Sequence, residues 1–204
     1  MATVKALGYI GCSISDTKAW EKLLLDVFAM DKRDDSPSNV LQYRIDDNHH
    51  RLSLYKSKTD KLEYLGWEME TQDDLDTFAS ELKSKGVKIQ SGDEELKTER
   101  SVMDLYVIEG PDGVRNEIFF GPVQDFVPFN QADGRSGFNT RNLGMGHVVL
   151  ASANRDQTLD WYQQMLGLSL SDHIHWDGVE ATFMHCNPRH HSLAIMNTIG
   201  PMQN

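Results

Sequence analysis

Apolar and polar positions along this chain fall into three copies of one arrangement, a strand followed by a helix and then by further strands. From Lys5 to Ile14 the residues alternate, and Gly8 and Gly11 mark close backbone approaches, which predicts a strand. Asp16 is placed to cap a helix whose Ala19, Trp20, Leu23, Leu24, Val27 and Phe28 recur at helical spacing, which predicts one buried stripe. After a Ser36-Pro37-Ser38-Asn39 turn, Val40 to Ile45 and His50 to Tyr55 read as strands joined by a polar turn, with room for one more strand in the unit.

A second unit begins at Leu62. Leu62 to Met69 reads as a strand, and Thr71 with Asp74 is a capping signature for a helix reaching about Lys85, its stripe formed by Leu75, Phe78, Ala79 and Leu82. Gly86 stands where a helix end takes a left-handed residue. Val87 to Gln90, Leu105 to Ile108 and Val114 to Phe120 read as strands, the last two parted by the Gly110-Pro-Asp-Gly113 turn. Residues 123–142 hold no period and are broken by Pro128, Gly134 and Gly137, so they read as a linker.

The third unit repeats the first. Leu7-Gly8-Tyr9-Ile10 lies on Met145-Gly146-His147-Val148 at an offset of 138 positions. Val27 to Met30 lies on Met165 to Leu168 without a gap, and a few inserted residues later Asn48 to Leu54 lies on Arg189 to Ile195. A register kept across helix and strands marks an internal repeat. A counterpart of residues 62–121 is then expected after Met196, where Gly200 to Asn204 reads as a connector.

With 204 residues the chain can bury one large core or two small ones, and the repeat favours two. A formal net charge of −11 with no offsetting Lys/Arg stripe weighs against nucleic acid and towards small-molecule chemistry. The absence of an eighteen-residue apolar run gives no membrane span, and the N-terminus lacks the layout of a signal peptide. A soluble, cytoplasmic protein is the expectation. Cys12 and Cys186 sit in apolar strand-like runs and are expected to pack as small hydrophobes.

Six of the eight histidines fall between Gly144 and Ile195, which points to metal or acid/base chemistry. His147 has apolar residues on both sides, so its ring is expected inside, and a lone interior histidine is commonly a core residue. Against that reading, the repeat puts Tyr9 at the same position, and a second histidine follows on a nearby strand. His190 and His191 as strand neighbours face opposite ways, and His191 shares a face with Leu193 and Ile195, so it is the one expected inside. His173, His175 and His185 read as solvated residues beside turns. Glu117 interrupts an apolar strand and needs a partner or a metal. With Tyr9 and Tyr64 it would make a weak metal site, so a structural role is expected for it.

Leu7-Gly-Tyr9, Leu65-Gly-Trp67-Glu, Gly-Pro-Asp-Gly113 before Glu117, Gly144-Met-Gly-His147-Val-Val-Leu and Phe183-Met-His-Cys-Asn-Pro-Arg-His-His191-Ser-Leu-Ala together resemble the type I extradiol ring-cleavage dioxygenases. These belong to the vicinal oxygen chelate superfamily, and the nearest members act on 2,3-dihydroxybiphenyl and similar catechols. The resemblance covers the whole chain. It implies an α+β fold of paired βαβββ modules, three of four present: residues 1–122 as a non-catalytic N-terminal pair, 123–142 as linker and 143–204 as the first half of the catalytic pair. It also implies Fe(II) held by two histidines and a carboxylate, with a catecholic substrate and O2 as partners in a homo-oligomer. His147 matches the first iron ligand, His191 the acid/base beside the iron, and Val149 and Phe183 the ring pocket. The remaining His and Glu ligands are expected beyond residue 204, so the chain alone is expected to be inactive. A glyoxalase-type isomerase or epimerase, or an inactive binding scaffold, are the alternatives on the same fold.

Overall fold

The computed structural model describes residues 3–131, 133–135 and 137–197; the expected connector from Gly200 to Asn204 lies outside them. Its first sheet has eight strands: β1 (Ala6–Ile14), β2 (Asp31–Lys32), β3 (Val40–Arg44), β4 (Leu52–Lys56), β5 (Lys61–Glu68), β6 (Ile89–Ser91), β7 (Val102–Glu109) and β8 (Arg115–Pro122). They lie in the order β2-β3-β4-β1-β5-β8-β7-β6, two four-stranded modules meeting at an antiparallel β1–β5 pair. The second sheet is one such module, β9 (Val148–Ser152), β10 (Ser169–Trp176), β11 (Val179–His185) and β12 (Leu193–Asn197), in the order β10-β11-β12-β9. In every module the first strand runs parallel to the fourth.

Register bears out the repeat residue by residue. Ile10 stands opposite Leu52 in β1–β4, and their counterparts Val148 and Leu193 stand opposite each other in β9–β12. The repeat that aligns Tyr9 with His147 and His50 with His191 is therefore a repeat of backbone position.

Among the described residues four α-helices accompany the sheets: α1 (Thr17–Lys22), α2 (Gln72–Ser84), α3 (Glu94–Arg100) and α4 (Arg155–Leu166). Asp16 caps α1 by accepting from the Ala19 amide at 3.0 Å, and Thr71 caps α2 through the Asp74 amide at 3.1 Å. The expected single stripe of the first helix does not form. After Lys22 the chain widens into a π-helical turn over Leu23–Val27, which rotates the later residues off the helical period. Only Leu24 of that stripe is buried, while Leu23, Val27 and Phe28 are exposed. Helix α3 has no apolar period to announce it; Asp93 caps it, and its last residue, Arg100, is buried.

One apolar layer joins the sheets. Leu7, Leu65, Trp67 and Ile118 of the first sheet pack with Leu75, Phe78 and Leu82 of α2, and the same cluster continues through Tyr162 and Leu166 of α4 to Leu150, Met184, Leu193 and Ile195 of the second. Burial of this many large side chains, each worth roughly 1.5–3 kcal/mol, ties the two sheets together. At its centre Asn116, fully buried, accepts from the Trp67 indole at 2.9 Å and from the Tyr162 hydroxyl at 3.3 Å. The stretch after β8 is also pinned. Asp125 pairs with Arg33 and Arg44, and the Phe129 amide donates to Asp47 at 2.8 Å.

The face of the first sheet opposite α2 is aromatic and polar, and the short helix α3 lies against it. Tyr9 stands opposite Gly66 and Gly11 opposite Tyr64, so each tyrosine ring lies over the other strand's glycine. A Cβ at Gly66 would fall 2.2 Å from the Tyr9 ring, and one at Gly11 would fall 2.1 Å from the Tyr64 ring. Glycine is thus required in both strands by ring packing.

Candidate functional site

Three strands of the second sheet assemble the predicted site on its helix-free face. Val149 of β9 stands opposite Ala194 of β12, and Ala194 opposite Phe183 of β11, so the three side chains form one row. His147 lies just before β9, two residues ahead of Val149. His191, in the turn leading to β12, brings its ring centroid to 4.2 Å from that of His147 and 4.9 Å from that of Phe183. The structure therefore brings together His147, Val149, Phe183 and His191.

The surroundings differ from the sequence expectation. His147 is exposed, not interior. Val148 and Leu150 take the helix-facing side of β9, which leaves His147 and the half-exposed Val149 on the open side. His191 is half-buried, and the strand alternation used to orient it starts only at Leu193, so the loop geometry decides where its ring goes. His190 is exposed, and its Nδ1 lies 2.9 Å from the Nδ1 of His191. Burial, then the charges of His147 and His190, hold the His191 pKa below the ordinary histidine value. His173 and His175 belong to β10 and are exposed, as expected, and His175 and the half-buried His185 stand next to the turns that end β10 and β11. His173 bonds Thr182 at 3.1 Å and His185 bonds Ser171 at 2.6 Å, contacts that serve the hairpin.

The matching face of the first sheet holds a second constellation, larger than the sequence suggested. Glu117, fully buried, accepts from the Tyr9 hydroxyl at 2.8 Å, from Arg100 Nε at 2.7 Å and Nη2 at 3.1 Å, and pairs with Arg115 at 2.7 Å. Burial, reinforced by Glu117, holds the Tyr9 pKa well above its usual value, so the phenol keeps its proton and donates it. Arg100 is the residue sequence reasoning missed. An acid inside an apolar strand demanded a cation, but the one that answers comes from a polar helix with no periodic signal. His50, the counterpart of His191, is buried with its Nδ1 2.9 Å from that of His49, the same spacing as in the second sheet. Burial, then the neighbouring His49 charge, push the His50 pKa down to about 3.

A metal of the extradiol type requires two histidines and a carboxylate. Among the described residues no three His, Cys, Asp or Glu side chains are grouped to hold a metal ion. On the open face of the second sheet His147 and His191 are joined by His190, whose Nε2 lies 3.8 Å from the Asp172 carboxylate, and these donors do not converge into that set. No helix among the described residues is long and apolar enough to cross a membrane.

Two family models match the chain: Dihydroxybiphenyl dioxygenase BphC D1 over residues 7–56, and the Glyoxalase/Bleomycin resistance protein/Dioxygenase superfamily over residues 144–204. The chain is 33% identical to 3-methylcatechol 2,3-dioxygenase of Pseudomonas putida, over 97% of this chain and 70% of that protein. It is also 33% identical to biphenyl-2,3-diol 1,2-dioxygenase of Paraburkholderia xenovorans, over 95% of this chain and 66% of that one. A solved catechol 2,3-dioxygenase superposes with a TM-score of 0.88 at 33% identity, covering 100% of this chain and 69% of that structure. The halotolerant catechol dioxygenase BphC has the same fold, with a TM-score of 0.90 at 24% identity over 96% of this chain and 65% of that structure. The chain thus spans about two thirds of the length of its relatives. Sustained identity across both sheets, a shared fold and the two family matches agree: this chain belongs to the extradiol ring-cleavage dioxygenases, on the vicinal oxygen chelate fold.

Proposed function

We propose that the protein carries out Fe(II)-dependent extradiol cleavage of a bicyclic or aryl-substituted catechol, such as 2,3-dihydroxybiphenyl, with O2. Residues 1–122 serve as a non-catalytic domain, 123–142 as linker and 143–204 as part of the catalytic domain. His147 is one iron ligand in this reading, and the rest of the donor set comes from residues outside these 204. The 204 residues alone are accordingly inactive, and the working protein is a homo-oligomer in the cytoplasm.

The observation that carries the reading is the convergence of His147, His191, Phe183 and Val149 on one open face, in a chain whose relatives are named for cleaving such diols. Phe183 and Val149 offer an apolar wall to an aromatic ring. His191 lies beside both that wall and His147, where an imidazole can take a proton from a substrate hydroxyl and return it later. The donors present among the described residues do not complete a metal site; iron, when bound through His147 and residues outside these 204, would supply the Lewis-acid and redox chemistry.

The test is oxygen uptake with 2,3-dihydroxybiphenyl by the protein from its natural source, with iron content measured in parallel. Substrate-dependent oxygen consumption supports the proposal. Substrate turnover without oxygen consumption would instead indicate a glyoxalase-type isomerase. In the active protein His191→Gln is expected to lower turnover at least tenfold, a small part of the 10²–10⁴ that general acid–base catalysis contributes, while iron content stays intact. Loss of iron in that variant would make His191 a ligand and refute the role given to it.

A further inference from the structure

The first sheet places groups around the Arg100 guanidinium much as a metal site places ligands around its ion. Glu117 of β8 grips it with both oxygens, and Glu99 accepts from its Nη1 at 2.6 Å. The Tyr55 hydroxyl takes the same Nη1 at 3.1 Å, and the Tyr64 ring lies face-on to the guanidinium carbon at 3.7 Å from its centroid. Tyr9 closes the shell by donating to Glu117. The contributing strands are the first of each module, through Tyr9 and Tyr64, and the last of the second, through Glu117. Register equates Tyr9 with His147 and His50 with His191.

We propose that this face is a cation centre built on the same positions as the second-sheet site, and that the Arg100 guanidinium is its resident cation. Equating the two centres rests on the reading that His147 holds a metal; the cation centre itself rests only on the contacts above. Three features separate it from an ordinary buried ion pair. Two carboxylates and one phenol oxygen converge on one planar cation, an aromatic face covers that cation, and a cleft of about 320 Å³ lined by Tyr55, Glu63, Tyr64, Glu99, Arg100 and Arg115, among others, reaches it from solvent. A buried carboxylate left without its cation is costly, and the cleft gives a replacement cation a route in. While Arg100 is in place, the first sheet has no vacancy for a divalent ion. The ligand class is therefore the planar, hydrogen-bonding guanidinium ion.

Chemical rescue tests this. Arg100→Ala is expected to lower the thermal midpoint and the soluble yield on refolding. Methylguanidinium, well below denaturing concentration, is expected to restore both in a saturable manner. Tetramethylammonium and sodium at equal ionic strength should not, because neither can donate a fork of hydrogen bonds to Glu117. A variant whose midpoint and refolding yield are both indifferent to methylguanidinium overturns the proposal, as does equal rescue by tetramethylammonium, which would reduce the effect to charge screening. Repeating the titration with His147→Ala also present separates the two readings: rescue that persists shows that the first-sheet centre stands whatever His147 does.

Discussion

Replacing Gly66 with Ala is a stringent test of how the first sheet is packed. The new methyl would lie 2.2, 2.4 and 2.5 Å from Cε2, Cδ2 and Cζ of Tyr9, where carbon atoms at rest stand about 3.5–4.0 Å apart. The Tyr9 ring has nowhere to retreat. It is buried, stacked on Phe119 at a centroid distance of 4.6 Å, and its hydroxyl is bound to Glu117. Overpacking of this kind costs about 1–3 kcal/mol. Displacing the ring also breaks a hydrogen bond to a carboxylate, worth about 1.5–3 kcal/mol. Together they predict a loss of about 2.5–6 kcal/mol, a large share of the roughly 5–15 kcal/mol by which a domain is stable. Urea denaturation of wild type and variant measures the loss directly. In a Tyr9→Ala background the same substitution should cost less than half as much, because the ring it strikes is gone. A cost below about 1 kcal/mol, or an equal cost in both backgrounds, would refute the packing argument.

The pH dependence of stability carries the mark of His50. Its folded pKa of about 3 lies below the usual 6.5, so the folded protein binds fewer protons than the unfolded chain in between. The stability from this residue is complete above pH 6.5 and is lost as pH falls towards 3, by about 2 kcal/mol between pH 6.5 and 5. The difference between wild type and His50→Gln in denaturation midpoints at those two pH values isolates it, and parallel slopes would contradict the assignment. Asn116→Ala should leave the buried Trp67 indole without its acceptor and cost about 2 kcal/mol, with a shift in tryptophan emission; an unchanged midpoint would show that the bond bears no weight.

Much of this architecture could be read from residue order because the repeat constrains it. Once Tyr9 is laid on His147 and His50 on His191, strand pairing in one module dictates that in another, and the capping residues Asp16 and Thr71 fix two helix starts. What escaped reading was set by tertiary contact. The π-helical turn at Leu23–Val27 breaks a stripe that the sequence spaces as one helix. Helix α3 has a single apolar residue, Leu96, and delivers Arg100 to the Glu117 carboxylate, so no periodicity marks it. That His147, Val149, Phe183 and His191 come together was legible, but the exposure of His147 was not. Apolar neighbours on both sides of a strand do not say which of its faces another layer covers.

The paired imidazoles deserve a last consequence. In His49–His50 and again in His190–His191 the two Nδ1 atoms stand 2.9 Å apart, a gap that holds a single hydrogen. One ring must donate it and the other accept, so the tautomers of each pair are tied together: one ring presents a bare Nε2 and its neighbour an Nε2–H. In the first sheet the Asp35 carboxylate 3.5 Å from His49 Nε2 favours the hydrogen there, which leaves the bare Nε2 to buried His50, where it faces the Gln42 amide nitrogen at 3.4 Å. In the second sheet Asp172, 3.8 Å from His190 Nε2, favours the same arrangement and leaves the bare nitrogen to His191. A neighbour thus selects which nitrogen of the inner ring is open to accept a proton, and His190→Ala should release that choice, visible as a mixed tautomer at His191 by NMR.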